Sequence, residues 1–245
     1  MEASFIRYKD FGNALSEIDF LVQIAKSYEK DADKYYTFNK SAILLLLAKF
    51  EVFLEVSVLE HASKLEQLSL SPDDLPELMK LHSTNSALND EFVARLRNLN
   101  MTAIEELKLI LPLWNSSSRL DTIYVNSKFD YGKHGPREIK KLFSRIGIKD
   151  VFEMCPIYER QETLNRRTKD RIRVDLVADI NAMTNYRNHI IHEDRAPTLT
   201  HGQIQIYKNR LLLFAGALAR LLDKGISQIK AKSGIGAGDT GNSSA

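Results

Sequence analysis

The stretch Asn39–Leu68, NKSAILLLLAKFEVFLEVSVLEHASKLEQL, decides the fold of this chain. Ile43, Leu46, Leu47, Phe50, Phe53, Leu54 and Leu65 recur at the three- and four-residue steps of an α-helix. The run is too long for a strand and is apolar around much of its circumference. It therefore predicts a central core helix over about 39–68, with Asn39 as its N-cap.

A buried helix of this kind needs partners on several sides, and the rest of the sequence supplies them. Upstream, Phe11, Leu15, Ile18, Leu21, Val22 and Ala25 form one apolar stripe, predicting a helix over about 4–30. Downstream, Ile172, Leu176, Val177, Ile180, Met183 and Ile190 predict a third over about 169–192. Ile204, Tyr207, Leu211, Phe214, Leu218, Leu221 and Leu222 predict a fourth over about 200–230, with Pro197 punctuating the turn before it. Six prolines and eleven glycines in 245 residues leave little room for another class. The expected architecture is all-α, a four-helix up-down bundle in one domain over residues 1–232. Residues 71–168 read as an insertion between the second and third core helices. Ser71-Pro72-Asp73-Asp74 opens it, and short helices are expected near 89–98, 102–111 and 136–146, with Trp114 as an anchor of the insertion's own core. The Gly- and Ser-rich residues 233–245 have the composition of a disordered tail.

The net charge of +2 is unevenly spread. Lys133–Arg173 holds twelve Lys and Arg against six Asp and Glu, an excess of +6 that leaves the remainder of the chain at −4. Lys140, Lys141, Arg145, Arg166, Arg167, Lys169, Arg171 and Arg173 from this stretch are candidates for holding a phosphate backbone, which would give affinity without sequence choice. The competing reading is a solvated, solubilising surface. One cysteine, Cys155, excludes an internal disulfide framework and suits a reducing cytoplasm. No signal peptide is visible, and the longest apolar run, Ala42–Ala48, is far shorter than the ~20 residues of a membrane span. The expected location is cytoplasmic.

Arg187-Asn188-His189-Ile190-Ile191-His192 carries the chemistry. Arginine is cationic at any physiological pH and can fork onto a phosphate. Histidine can give or take a proton near neutrality. On an ideal helix Asn181, Asn185, Asn188 and His192 share one polar stripe, whereas Arg187 lies about 140° from His192. Convergence of the pair therefore requires a partner, either a second subunit or an acid on a neighbouring helix. Without one, Arg187 and His192 are simply cations answering the negative end of a helix dipole. His189 lies nearly opposite Arg187 and is not enlisted. His61, His82, His134, His189, His192 and His201 show no zinc-type spacing with cysteine, so no metal site and no cofactor is expected.

From Leu176-Val177-Ala178-Asp179-Ile180 through Asn185-Tyr186-Arg187-Asn188-His189-Ile190-Ile191-His192, the chain resembles the signature helix of HEPN domains, and within them the RiboL-PSP type. The resemblance extends to the apolar second helix with Glu51, the long insertion and the final helix. It implies a metal-independent endoribonuclease in which the signature helices of two subunits face each other across a two-fold axis. Carried over residue by residue, it implies His192 as general acid or base, Arg187 as stabiliser of the charge on the phosphate, and Asn188 as an amide that orients the phosphate or the imidazole. Glu51 would pair with Arg187 or fix the tautomer of His192, with Glu55 as rival. The same resemblance implies an RNA substrate, a homodimer, and a toxin or effector role with an antitoxin or defence-system partner. A catalytically silent RNA- or nucleotide-binding module and a plain dimerisation scaffold are the alternatives. Two departures stand out. Glu193 and Asp194 follow the histidine where many members have glycine, and Asp194 occupies the place of a tyrosine that is modified in some toxins.

Overall fold

The computed structural model describes residues 6–88, 90–98, 101–130, 132–160, 171–193 and 199–234. At its centre is α3 (Ala32–Glu66), which packs against α1 (Ile6–Ala14), α2 (Ser16–Ser27), α9 (Leu176–Glu193) and α10 (His201–Lys232). The all-α expectation is met. Between α3 and α9 lie α4 (Glu77–Ala87), α5 (Asp90–Arg97), α6 (Met101–Ile110), α7 (Pro136–Ser144), α8 (Val151–Met154) and a short antiparallel hairpin, β1 (Tyr158–Arg160) with β2 (Arg171–Arg173).

The boundaries depart from the pattern reading where local polar chemistry overrides it. Helix α3 starts seven residues before Asn39, because the Asp31 carboxylate caps it by accepting from the Lys34 backbone amide at 3.2 Å. Asn39 is no cap. It is fully buried, and its side-chain amide donates to the Leu199 carbonyl at 3.1 Å, which fixes the approach to α10. The single N-terminal helix expected over 4–30 is two helices on one line, interrupted at Leu15, where the Ser16 hydroxyl turns back onto the Asn13 carbonyl at 2.8 Å. Helix α9 begins at Leu176 and not near 169. Asp175 accepts from the Ala178 amide at 3.0 Å, and the preceding Arg171-Ile172-Arg173 alternates as a strand. Ile172, expected in the core, is consequently 49% exposed. At the start of α10, Thr200 and Gln203 form a reciprocal capping box.

One hydrophobic cluster runs through bundle and insertion alike. Phe214 of α10 meets Phe50 of α3 edge-on at 6.1 Å and stacks on Phe152 of α8 at 5.6 Å. Leu113, Leu120, Ile123, Leu142 and Phe143 join the same cluster. Trp114 does not; it is 48% exposed, donates to the Thr84 hydroxyl at 2.9 Å and lies under the Lys80 ammonium. The neighbouring Leu113 fills the core in its place. Of the tail, Ser233 and Gly234 form a turn, and residues 235–245 lie outside the described residues.

Candidate functional site

Helix α9 presents two faces. Leu176, Ile180 and Met183 are buried, and Val177, Tyr186 and Ile190 pack against the core beside them. Asn181, Asn185, Asn188 and His192 are all exposed, on the stripe that the spacing predicts. No hydrogen bond or ion pair engages any of these four among the described residues. Arg187 is half-buried. It follows Met183 by one turn, so it leaves the helix on the core-side shoulder, about 140° from His192. Nothing joins Arg187 to His192 within the described residues, in keeping with that divergence. His189 points another way and pairs with Glu193, Nδ1 to Oε1, at 3.1 Å. One of the two acids that follow the motif is thereby drawn to the histidine that the motif does not use. Asp194 lies outside the described residues.

The structure redirects the role expected of Glu51. Its carboxylate, on α3, bonds the ring of His134 at 2.7 Å (Nδ1 to Oε1), and neither Arg187 nor His192. Both partners are half-buried. Gly135 follows at φ +100°, a left-handed conformation that turns the chain into α7. A Cβ at Gly135 would lie 3.8 Å from the Thr184 hydroxyl, so the Glu51–His134 pair borders α9 one turn before Asn188. Glu55 takes the ammonium of Lys128 at 2.7 Å and the backbone amide of Phe129 at 3.0 Å. The two acids of α3 thus hold the segment leading to α7. Sequence reading missed His134 because nothing local links residue 134 to residue 51. The available signal was two acids at i and i+4 within the most apolar part of the helix, which need polar partners somewhere.

Several cations of the basic stretch are held by partners within the fold. Lys140 bonds Asp150 at 2.7 Å, Lys141 pairs with Asp130, and Arg173 pairs with Glu153 at 2.9 Å. Asp130 and Asp150 are both held below the usual carboxylate range, first by the hydrogen bonds from Lys141 and Lys140 respectively. Arg145, only 7% exposed, donates to the carbonyls of Asn126 at 2.9 Å and Lys128 at 2.6 Å and to Asp130 at 3.3 Å. It is a structural cation and cannot serve as a surface phosphate contact. Arg171 is exposed and unpaired among the described residues, whereas Arg166, Arg167 and Lys169 lie outside them.

Two further groups are excluded as reactive centres. Burial pushes the Cys155 thiol up to about 12, so it is inert. Arg210 of α10 is clamped by Glu159 at 2.7 and 2.9 Å and by Asp179 at 3.0 and 3.1 Å, tying the hairpin and α9 to α10. The clamp lowers the Glu159 carboxyl, through its bond to Arg210, while the deeper burial of Asp179 outweighs the same guanidinium and raises its carboxyl. Among the described residues no group of His, Cys, Asp and Glu could hold a metal ion, and no helix is long and apolar enough to cross a membrane.

No curated protein and no solved structure matches the chain. The model of the RiboL-PSP-HEPN family, a HEPN-type domain, matches residues 9–224. The matched region runs from α1 into α10 and takes in the bundle, the insertion and the Arg187–His192 helix. The chain belongs to the RiboL-PSP-HEPN family, whose HEPN-type domains generally act as nucleases or bind RNA.

Proposed function

We propose that this protein is a HEPN-type endoribonuclease that needs no metal ion and cleaves RNA at a cleft shared by two copies of the chain. The observation that carries this reading is the exposed stripe Asn181, Asn185, Asn188 and His192 on α9, polar along its length and uncommitted among the described residues, with Arg187 at its shoulder. A polar face is ordinary on a surface helix; what supports a site is its makeup, three asparagines of low helix propensity aligned with a histidine and flanked by Arg187. Two α9 helices facing each other would bring the Arg187 of one copy toward the His192 of the other, which the 140° divergence forbids within one helix. In that cleft His192 takes the proton of the 2′-hydroxyl or returns one to the leaving oxygen. Arg187 offsets the charge that builds on the phosphate, and Asn188 orients it. The attacking oxygen and the leaving oxygen belong to the same RNA strand, so the products end in a 2′,3′-cyclic phosphate and a free 5′-hydroxyl.

Family membership supports a cytoplasmic toxin or effector role in a prokaryotic toxin–antitoxin or phage-defence system, with an antitoxin or defence protein as partner. The test is digestion of end-labelled RNA in excess chelator. Cyclic-phosphate ends that vanish in Arg187→Ala and His192→Ala are expected, together with growth arrest on expression of the wild type alone. Intact RNA and harmless expression would sink the nuclease reading. Retention of RNA without cleavage, weakening steeply with salt, would show a silent binding module in its place.

A further inference from the structure

Away from α9, which contributes no residue to it, the C-terminal part of α3, the turn at Gly147 and the second half of α10 line a half-open cavity of about 420 Å³. Ile146, Ile148, Met154 and Ile229 give it hydrocarbon walls. The polar side chains on its lining are His61, Lys224, Gln228 and Lys232, and of these only His61 is buried. The residue is 4% exposed, its Nδ1 is enclosed without a hydrogen-bond partner, and no described residue bonds its other ring nitrogen. Gly225 packs against the ring, since a Cβ there would lie 3.9 Å from His61 Cε1, and because Nδ1 is enclosed, Nε2 is the nitrogen that His61 can present to this space. Burial, reinforced by the nearby Lys64 ammonium, lowers the imidazole to about 4. The ring is therefore neutral, with one nitrogen a donor and the other an acceptor.

Buried polar groups are almost always hydrogen-bonded, and a mostly hydrocarbon pocket with a few convergent polar groups is the ordinary form of a small-molecule site. The charge at its edge narrows the class. Lys232 is committed to the Asp73 carbonyl at 2.8 Å and to Asp74. Lys224, also on the lining, is exposed and unpaired among the described residues. Among the described residues Lys224 is thus an unpaired cation beside a mostly apolar cleft that also holds a buried, neutral imidazole.

We propose that this cavity binds a small amphipathic organic acid, its apolar body between α10 and the Gly147 turn, one hydrogen-bonding atom of that body on His61, and its anionic head at Lys224. Such a ligand touches the insertion through Ile146, Ile148 and Met154 and the bundle through α3 and α10. Occupancy therefore stabilises the junction of the two by mass action. The site is separate from the stripe and from any RNA chemistry there.

The test uses three matched probes on the whole protein. Indole-3-acetate offers a ring N–H and a carboxylate; 1-naphthaleneacetate lacks the N–H; indole-3-ethanol lacks the charge. Calorimetry should show saturable binding of indole-3-acetate, with each of the other two about fivefold weaker or more. Nitrogen-15 resonances of the His61 ring should move with indole-3-acetate. Gly225→Leu should abolish binding by filling the chamber, and Lys224→Ala should erase the preference for the acid over the alcohol. Absence of saturable binding, equal affinity for all three probes, or full binding by Gly225→Leu would overturn the proposal. The comparison among probes needs no variant to fold, and none of these outcomes depends on RNA cleavage.

Discussion

At the residue scale, Arg187 and His192 have opposite attachments. Arg187 leans on the packed side of α9, and His192 stands in solvent. Among the described residues neither holds a partner whose loss would unfold the chain, so under the proposed function substitution should act on catalysis alone. His192→Ala is expected to lower kcat by about 10²–10⁴ and Arg187→Ala by about 10²–10³, with melting temperatures unchanged. Single-turnover cleavage beside thermal unfolding monitored by circular dichroism checks both. His61 behaves in the reverse way, silent in catalysis and visible in stability. Its folded-state value of about 4 lies below the ordinary 6.5, so as pH falls the unfolded chain takes up the proton first. Its contribution is full above pH 6.5 and is lost as pH drops through 6.5 toward 4, about 3 kcal/mol in all. Urea titrations should show this loss in the wild type and a flatter curve in His61→Leu. The carboxylates of Asp130, Asp150 and Glu159, lowered by their basic partners, act further down the scale in both proteins.

At the scale of elements, periodicity located the helices and side-chain caps decided their ends. Asp31, Asp175 and Thr200 each accept a backbone amide, and each moves or sets a boundary that an apolar stripe alone leaves open. The basic stretch shows the limit of charge counting. An excess of +6 over Lys133–Arg173 reads as a polyanion surface, but the count does not show which cations are free: Lys141, Lys140 and Arg173 are held by Asp130, Asp150 and Glu153. Arg145 is spent on carbonyls of the segment before α7. Arg145→Met should therefore cost about 3 kcal/mol of stability and leave the salt dependence of RNA binding unaltered. Arg171→Ala should do the opposite, reducing the slope of log affinity against log salt by up to about 1 with no change in melting temperature. Filter binding at several salt concentrations, beside thermal melts, separates the two.

At the scale of the whole molecule, the insertion is no ornament on the bundle. Phe152 stacks on Phe214, and Phe143, Leu142 and Val151 belong to the same cluster as Phe50 and Leu54. Replacing residues 71–156 by a short linker should leave a bundle that is expanded and protease-sensitive, because hydrocarbon from α3 and α10 would face water. Limited proteolysis and calorimetric unfolding check this. The proposed cleft between two α9 helices makes activity a property of the dimer. Cleavage per chain is expected to fall on dilution through the dimer dissociation constant, in step with the mass seen by light scattering; a rate per chain independent of concentration would refute the shared site. What the sequence determined by itself is local: helix class, the approximate positions of the core helices and the polar stripe of α9. A period of 3.6 residues is a property of neighbours in the chain, and so is the Arg187–His192 spacing. The tertiary structure alone decided which distant partners meet: Glu51 with His134, Arg210 with Glu159 and Asp179, Arg145 with the segment before α7, and His61 with an apolar cavity. Those pairings depend on which faces the packed core leaves side by side, and burial makes an unmet charge or hydrogen bond costly enough that the fold must answer it.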